Sequence, residues 1–313
     1  RLRTVTGIQT CALPICDLCG LCGLVLVLGS HQHIHHVANA SESNMPSLKD
    51  KVALITGAAS GLGLACAEIL AREGWHLVLT DVDASRLDLV ASSFARDGAR
   101  VAAIACDVRD AAAMAQLVDS AVATLGGIDL AINCAGVALA GAFHNSSAEE
   151  WQWIFDINMH GVANSCRPLI RHMARGKGGV IINIASIAAV TTSASMSAYN
   201  ASKAAVVAFS ESLMQEYTDY GVQVMVAMPG FFRTRLIESA RGDEKTLKAA
   251  GRLIEDSGVS AEEVAEQMLA AAGRGNGYFI YPRPYRTYWR LKRLMPQYFQ
   301  KLLPRLVRSR KKR

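Results

Sequence analysis

Between residues 50 and 282, short continuous apolar runs alternate with longer stretches whose apolar positions recur three and four residues apart. The short runs fall at 52–56, 76–80, 101–106, 128–132, 179–185, 222–228 and 277–281, and each predicts a strand. They are apolar throughout rather than alternating, so both faces of each strand are expected to be covered, as in a parallel sheet. The periodic stretches predict helices at 64–72, from residue 84 onward, and at 111–125, 148–175 and 197–220. Strand and helix alternating in this way predict a single α/β domain, a doubly wound parallel sheet in three layers, α/β/α. Residues 231–260 are more weakly patterned and predict a partly helical excursion that could cover a ligand.

In such a sheet ligands bind beyond the carboxyl ends of the strands. After the first strand, Thr56, Gly57, Ala58, Ala59, Ser60, Gly61, Leu62 and Gly63 lead straight into a helix. A glycine-rich turn there lets backbone N–H groups approach a pyrophosphate at the helix N-terminus. Asp81 closes the second strand, where a carboxylate can accept hydrogen bonds from an adenosine ribose and repel a 2′-phosphate. The glycine turn contains no basic residue, so NAD is expected, with NADP the less favoured alternative. Asp107 and Val108 follow the third strand, and Asp107 either reaches an adenine amino group or caps the next helix. Asn133, Cys134, Ala135 and Gly136 follow the fourth, small enough for backbone to lie against a cofactor. Ser186 closes the fifth. Tyr199 and Lys203 stand four apart on one helix face, where an ammonium beside a phenol lowers its pKa toward the range of a general acid/base.

The joint pattern resembles the short-chain dehydrogenase/reductase family across residues 50–282. It comprises T-G-x-x-x-G-x-G over 56–63, Asp107, N-x-A-G over 133–136, Asn158, Ser186, Tyr199-x-x-x-Lys203, and Pro229-Gly230 with Thr234. Cys134 departs from it, since the family often has a second Asn there. The resemblance implies a Rossmann-type fold and hydride transfer between a nicotinamide and a carbinol or carbonyl carbon. It implies that Tyr199 exchanges a proton with the substrate oxygen, while Lys203 lowers the Tyr199 pKa and holds the nicotinamide ribose. Ser186 would hydrogen-bond the substrate oxygen, and Asn158 would hold a water in a proton relay. Thr234 and the backbone after Pro229 and Gly230 would hold the carboxamide. The resemblance further suggests a homodimer or homotetramer built on helices 148–175 and 197–220. Val137, Phe143, Ala188, Phe231, Phe232 and Leu236 are expected to line the substrate pocket, which favours a hydrophobic secondary alcohol or ketone. The rival reading is a nucleotide-binding sensor or scaffold of the same fold. The intact Asn158, Ser186, Tyr199 and Lys203 set speaks against it.

Charge divides the chain into three parts. Twelve Lys/Arg and no Asp or Glu fall in residues 283–313, leaving residues 45–282 with 19 Lys/Arg against 25 Asp/Glu. The basic tail interleaves aromatic and leucine residues and predicts one or two amphipathic helices broken at Pro296 and Pro304. It is expected to pack on the domain or a partner subunit, or to touch an anionic membrane surface, rather than to bind nucleic acid. The body cysteines sit mostly in apolar runs and predict buried thiols in a reduced, cytoplasmic setting. Residues 1–44 contain Cys16, Cys19 and Cys22 and several histidines, but no helix or strand pattern surrounds them, and no metal site is expected. Residues 4–15 resemble the translation of a sequencing-library adapter. Residues 1–44 are therefore read as an artefactual or disordered leader, with Met45 as the natural start.

Overall fold

The computed structural model describes residues 51–96 and 100–302. The sequence readings of residues 1–44 lie outside them. β1 (Val52–Thr56) is buried along its whole length, between β2 (His76–Thr80) and β4 (Leu130–Asn133). With β3 (Val101–Ala103), β6 (Gly179–Ile184), β7 (Val222–Pro229) and β9 (Tyr278–Tyr281), these strands form a seven-stranded sheet. Its order is β3-β2-β1-β4-β6-β7-β9, with every neighbouring pair parallel. Leucine and isoleucine cover both faces, and each fully buried side chain of this kind contributes about 1.5–3 kcal/mol. Ile55, Leu77 and Leu79 pack beneath α1 (Gly61–Arg72), α2 (Ala84–Arg96) and α9 (Ala261–Gly273). Leu54, Val78 and Ile181 pack beneath α3 (Ala111–Leu125), α5 (Gly161–Arg175) and α7 (Ser197–Tyr217). This is the three-layer, doubly wound architecture that the alternation predicts.

The third strand is shorter than predicted, because β3 is the sheet edge and only half-buried. Pairing nonetheless runs past its end, with Ile104 and Cys106 donating to the carbonyls of Leu79 and Asp81 at 3.0 and 3.1 Å. The helix predicted over 148–175 is α4 (Ala148–Phe155) and α5 joined by a π-helical turn, Asp156–His160. Ser147 and Glu150 close a reciprocal capping box at the start of α4. Two short elements carry no periodic signal: α6 (Ala188–Thr191), and a two-stranded pair of β5 (Leu139–Ala140) with β8 (Arg241–Gly242). The 231–260 excursion holds α8 (Glu244–Glu255), capped by Asp243.

α10 (Pro284–Leu294) packs on β9 and α6. Its Trp289 lies 5.4 Å from the Tyr278 ring, and its Lys292 Nζ donates to the Ala189 carbonyl at 3.2 Å. Residues 296–302 are again helical and bury Phe299.

Candidate active site

Strand order reverses between β1 and β4, so the loops leaving these two strands diverge and open a cleft at the carboxyl edge of the sheet. The cleft has a volume of about 650 Å³. Of the predicted site residues, Gly57, Ser60, Gly61, Leu62, Asp81, Asp107, Val108, Ala135 and Gly136 line it, as do Ser186, Tyr199, Lys203, Pro229, Gly230 and Thr234. Thr56, Gly63, Asn133 and Asn158 lie behind that lining and act on the residues in front.

Thr56 Oγ1 accepts from the N–H groups of Cys134 and Ala135, both at 3.1 Å, and so fixes the loop after β4 against the glycine turn. A Cβ on Gly63 would lie 2.2 Å from the Gly57 carbonyl oxygen, so the turn closes only around glycine. Asn133 faces the core rather than the cleft. Its amide donates to Asn183 Oδ1 at 2.8 Å and to Cys166 Sγ at 3.3 Å, tying β4 to β6. The sequence reading of Asn133 as a cofactor contact therefore becomes a strand-to-strand bond.

At the start of α1 the structure fits a pyrophosphate. α3, α4, α8 and α9 have their first-turn N–H groups capped by Asp110, Ser147, Asp243 and Ser260. Ser60, at the same position on α1, makes no side-chain cap, leaving those donors to the cleft. Asp81 Oδ2 accepts from Ala59 N–H at 3.0 Å, so this carboxylate at the cleft braces the glycine turn. The capping of α2 falls to Asp83, whose Oδ1 accepts from Arg86 N–H at 3.1 Å. Asp107 does not cap α3, since Asp110 does so through the N–H groups of Ala112 and Ala113. Its carboxylate is instead held by the Arg109 side chain, with Nε 2.9 Å from Oδ2, and this hydrogen-bonded ion pair lowers the Asp107 pKa.

At the opposite end of the cleft the packing around Tyr199 is apolar. Tyr199 is only 7% exposed and packs with Ala138, Leu139, Ile154, Ala188 and Ala198. Burial raises its pKa, and contact with the Ser186 hydroxyl works against that rise. Lys203, one turn along α7, is 4% exposed, and burial lowers its pKa to about 8. Its Nζ donates to the Ile184 carbonyl at 2.9 Å, so in this state the ammonium is directed at the end of β6. Ser186 Oγ accepts from Ala188 N–H at 3.1 Å, which sets the hydroxyl at the start of α6.

Asn158 sits fully buried in the π turn. Its Oδ1 accepts from Val137 N–H at 2.8 Å, and its Nδ2 donates to the Val137 carbonyl and to Ser202 Oγ, both at 3.0 Å. Ser202 Oγ donates in turn to the Tyr199 carbonyl at 2.9 Å. Both amide donors are thereby committed to protein. A Cβ on Gly136 would lie 3.2 Å from both Asn158 Oδ1 and Lys203 Nζ, so a side chain here would crowd both groups. Sequence reasoning missed Ser202, although it lies inside the Tyr199–Lys203 pentapeptide.

Val137, Ala188, Phe231, Phe232 and Leu236 line the cleft as expected. Phe143 does not. It is 66% exposed and stands edge-on to Trp151, at 5.7 Å between ring centroids. Trp153, Thr191, Met196 and Ile254 also line it, with Arg241 stacked 4.0 Å over Trp153, and so do the polar Ser193, Arg235, Glu238 and Ser239. Among the described residues no group of three or more His, Cys, Asp or Glu is arranged to hold a metal ion.

The family model for short chain dehydrogenases matches residues 51–245. The chain is 36% identical to a 2,3-dihydro-2,3-dihydroxybenzoate dehydrogenase of Bacillus subtilis, over 64% of this chain and 77% of that protein. It is 35% identical to a D-threitol dehydrogenase of Mycolicibacterium smegmatis, over 72% of this chain and 88% of that one. Among solved structures, a short-chain dehydrogenase/reductase of Burkholderia phymatum in complex with NAD superposes with a TM-score of 0.74 at 31% identity, covering 80% of this chain and 95% of that one. The parallel sheet, the glycine turn under an uncapped helix and the Tyr199–Lys203 corner thus agree with the match along the chain: this protein belongs to the short-chain dehydrogenase/reductase family of oxidoreductases.

Proposed function

We propose that this protein is an NAD-dependent dehydrogenase of secondary alcohols, or the corresponding ketone reductase, with Tyr199 as general acid/base. The observation that carries this reading is the convergence of Tyr199, Ser186 and Lys203 at one end of a cleft whose other end is a glycine turn leading into an uncapped helix. When bound, the nicotinamide supplies the hydride acceptor or donor. Tyr199 takes the hydroxyl proton of the alcohol, or returns it to the ketone oxygen. Ser186 donates a hydrogen bond to that oxygen and stabilises the charge that develops on it. Lys203, protonated below about pH 8, can hold ribose hydroxyls. The expected lowering of the Tyr199 pKa is not what the structure has, since burial raises that pKa while the ammonium bonds the Ile184 carbonyl; in this reading the ammonium would still assist the phenol by its charge. Asn158 holds the Val137 backbone and Ser202, and its Oδ1 would be the acceptor for a proton-relay water.

On the cofactor side, Gly57, Ser60, Gly61, Leu62 and the first turn of α1 would hold the pyrophosphate. Asp81 would take the adenosine ribose, and Asp107 with Val108 the adenine. Ala135 and Gly136 would line the ribose path, with Pro229, Gly230 and Thr234 at the carboxamide. Asp81 favours NAD over NADP by charge. The substrate reading is a hydrophobic secondary alcohol, because the walls around Tyr199 are apolar. Residues 45–282 form the catalytic unit in this reading, with 283–313 as an appended tail. We also propose a cytoplasmic homodimer or homotetramer. The four free cysteines among the described residues accord with a reducing compartment.

The test is NADH formation from a panel of cyclic and aliphatic secondary alcohols and polyols, with NADP run in parallel. Turnover with NAD on at least one apolar member is expected. Turnover on none, with NADH still bound, would favour the sensor reading.

A further inference from the structure

We infer that the C-terminal helices carry a docking surface for an anionic lipid membrane, an interaction that goes beyond the dehydrogenase reading. α10 has two unlike faces. Tyr285, Trp289 and Lys292 turn toward the domain, with Tyr285 and Trp289 packed on its core. Arg286, Arg290 and Leu294 follow one another four residues apart, so they form a stripe on the exposed side, with Arg283 leading into it. The stripe ends in an apolar tip. Leu294 is 80% exposed, and Met295 and Tyr298, at the start of the second helical stretch, are 50% and 56% exposed. Arg283, Arg286, Arg290 and Lys301 form no ion pair among the described residues, although Arg286 Nε donates to the Ile280 carbonyl at 3.2 Å, whereas Arg293, on the domain side, pairs with Glu211 at 3.4 Å. The chain from residue 283 to its last residue contains no acidic side chain, and it adds Arg305, Arg308, Arg310, Lys311, Lys312 and Arg313.

A solvated tail has no use for three large apolar side chains held outward at the end of an arginine stripe. Burying them costs nothing polar at a lipid headgroup boundary, where arginines at the same level meet lipid phosphates. Folding of α10 onto β9 and α6 fixes the geometry, so the stripe and tip are presented together rather than on a loose tail. A protein partner or nucleic acid would satisfy the arginines, but nucleic acid leaves the apolar tip unmatched.

The experiment is flotation of the full-length protein with vesicles of phosphatidylcholine alone or with one-third phosphatidylglycerol. Binding is expected to the anionic vesicles only and to fall at high salt. Each Lys or Arg near an anionic surface contributes about a fivefold factor, so the double variant Arg286→Glu, Arg290→Glu is expected to bind at least about thirty-fold more weakly. Leu294→Ser with Tyr298→Ser is expected to lose binding at unchanged charge. Both variants are expected to retain wild-type turnover, since none of these side chains lines the cleft, and that turnover verifies folding. Equal flotation with the two vesicle types, or wild-type flotation of the arginine variant, overturns the inference. So does a DNA duplex that binds the protein more tightly than the anionic vesicles and strips it from them.

Discussion

Tyr199 and Lys203, at one end of the cleft, are buried, and burial moves their proton affinities, upward for the phenol and downward to about 8 for the ammonium. Asp107 and Arg109, beside the edge strand at the rim of the cleft, are half-exposed, and each is shifted chiefly by its hydrogen bond with the other. One region buries groups whose charged forms their surroundings disfavour; the other holds a half-exposed ion pair at the rim of the cleft. Removing the charge at the first should release energy as it removes function. Removing it at the second should do little to either.

Lys203→Met gives the largest contrast. Turnover is expected to fall at least about a hundredfold, while the cofactor-free protein gains about 2 kcal/mol at pH 7, because no ammonium is then buried. The sign follows from linkage. The folded pKa, about 8, lies below the ordinary 10.5, so the unfolded chain binds more protons between those values. Wild-type stability should therefore contain a component that rises with pH over that window and is absent from the variant, as measured by urea unfolding across pH. Asp81→Asn is expected to be intermediate. It keeps an acceptor for Ala59 N–H but loses the charge that we propose repels a 2′-phosphate, so the ratio of kcat/KM for NAD over NADP should drop about tenfold. Arg109→Ala should be smallest. An exposed pair of this kind contributes at most about 1 kcal/mol, and KM for NAD is expected to change by less than about threefold.

The sheet was legible because buried parallel strands write themselves as continuous apolar runs, and β1 and β2 appear at their predicted residues. The glycine turn, Asp81, Ser186, Tyr199 and Lys203 were legible because each stands at a strand end or on a helix facing that edge. What was not legible depends on contacts far apart in sequence. A π turn leaves the apolar pattern of 148–175 intact, so the separate setting of Asn158 was hidden. Asn133 looks like any small polar residue after a strand until β6 brings Asn183 within 2.8 Å. Phe143 has the composition of a pocket residue, but the short 3₁₀ turn at Phe143–Asn145 sends it outward against Trp151. Sequence spacing put Lys203 on the Tyr199 face, yet its ammonium bonds the Ile184 carbonyl, a partner supplied by β6. The two faces of α10 likewise became distinct only once Tyr278 and Ala189 stood against one of them.

The central claim is that Tyr199 moves the proton and does not hold the cofactor's affinity. It is tested most directly by measuring turnover and NADH binding together in Tyr199→Phe. The phenyl ring keeps the apolar packing with Ala138, Leu139 and Ile154, so the corner should hold its shape. Turnover is expected to fall at least about a thousandfold, with the NADH dissociation constant within about threefold of wild type. Turnover within about tenfold of wild type would contradict the account, because the proton would then have another carrier.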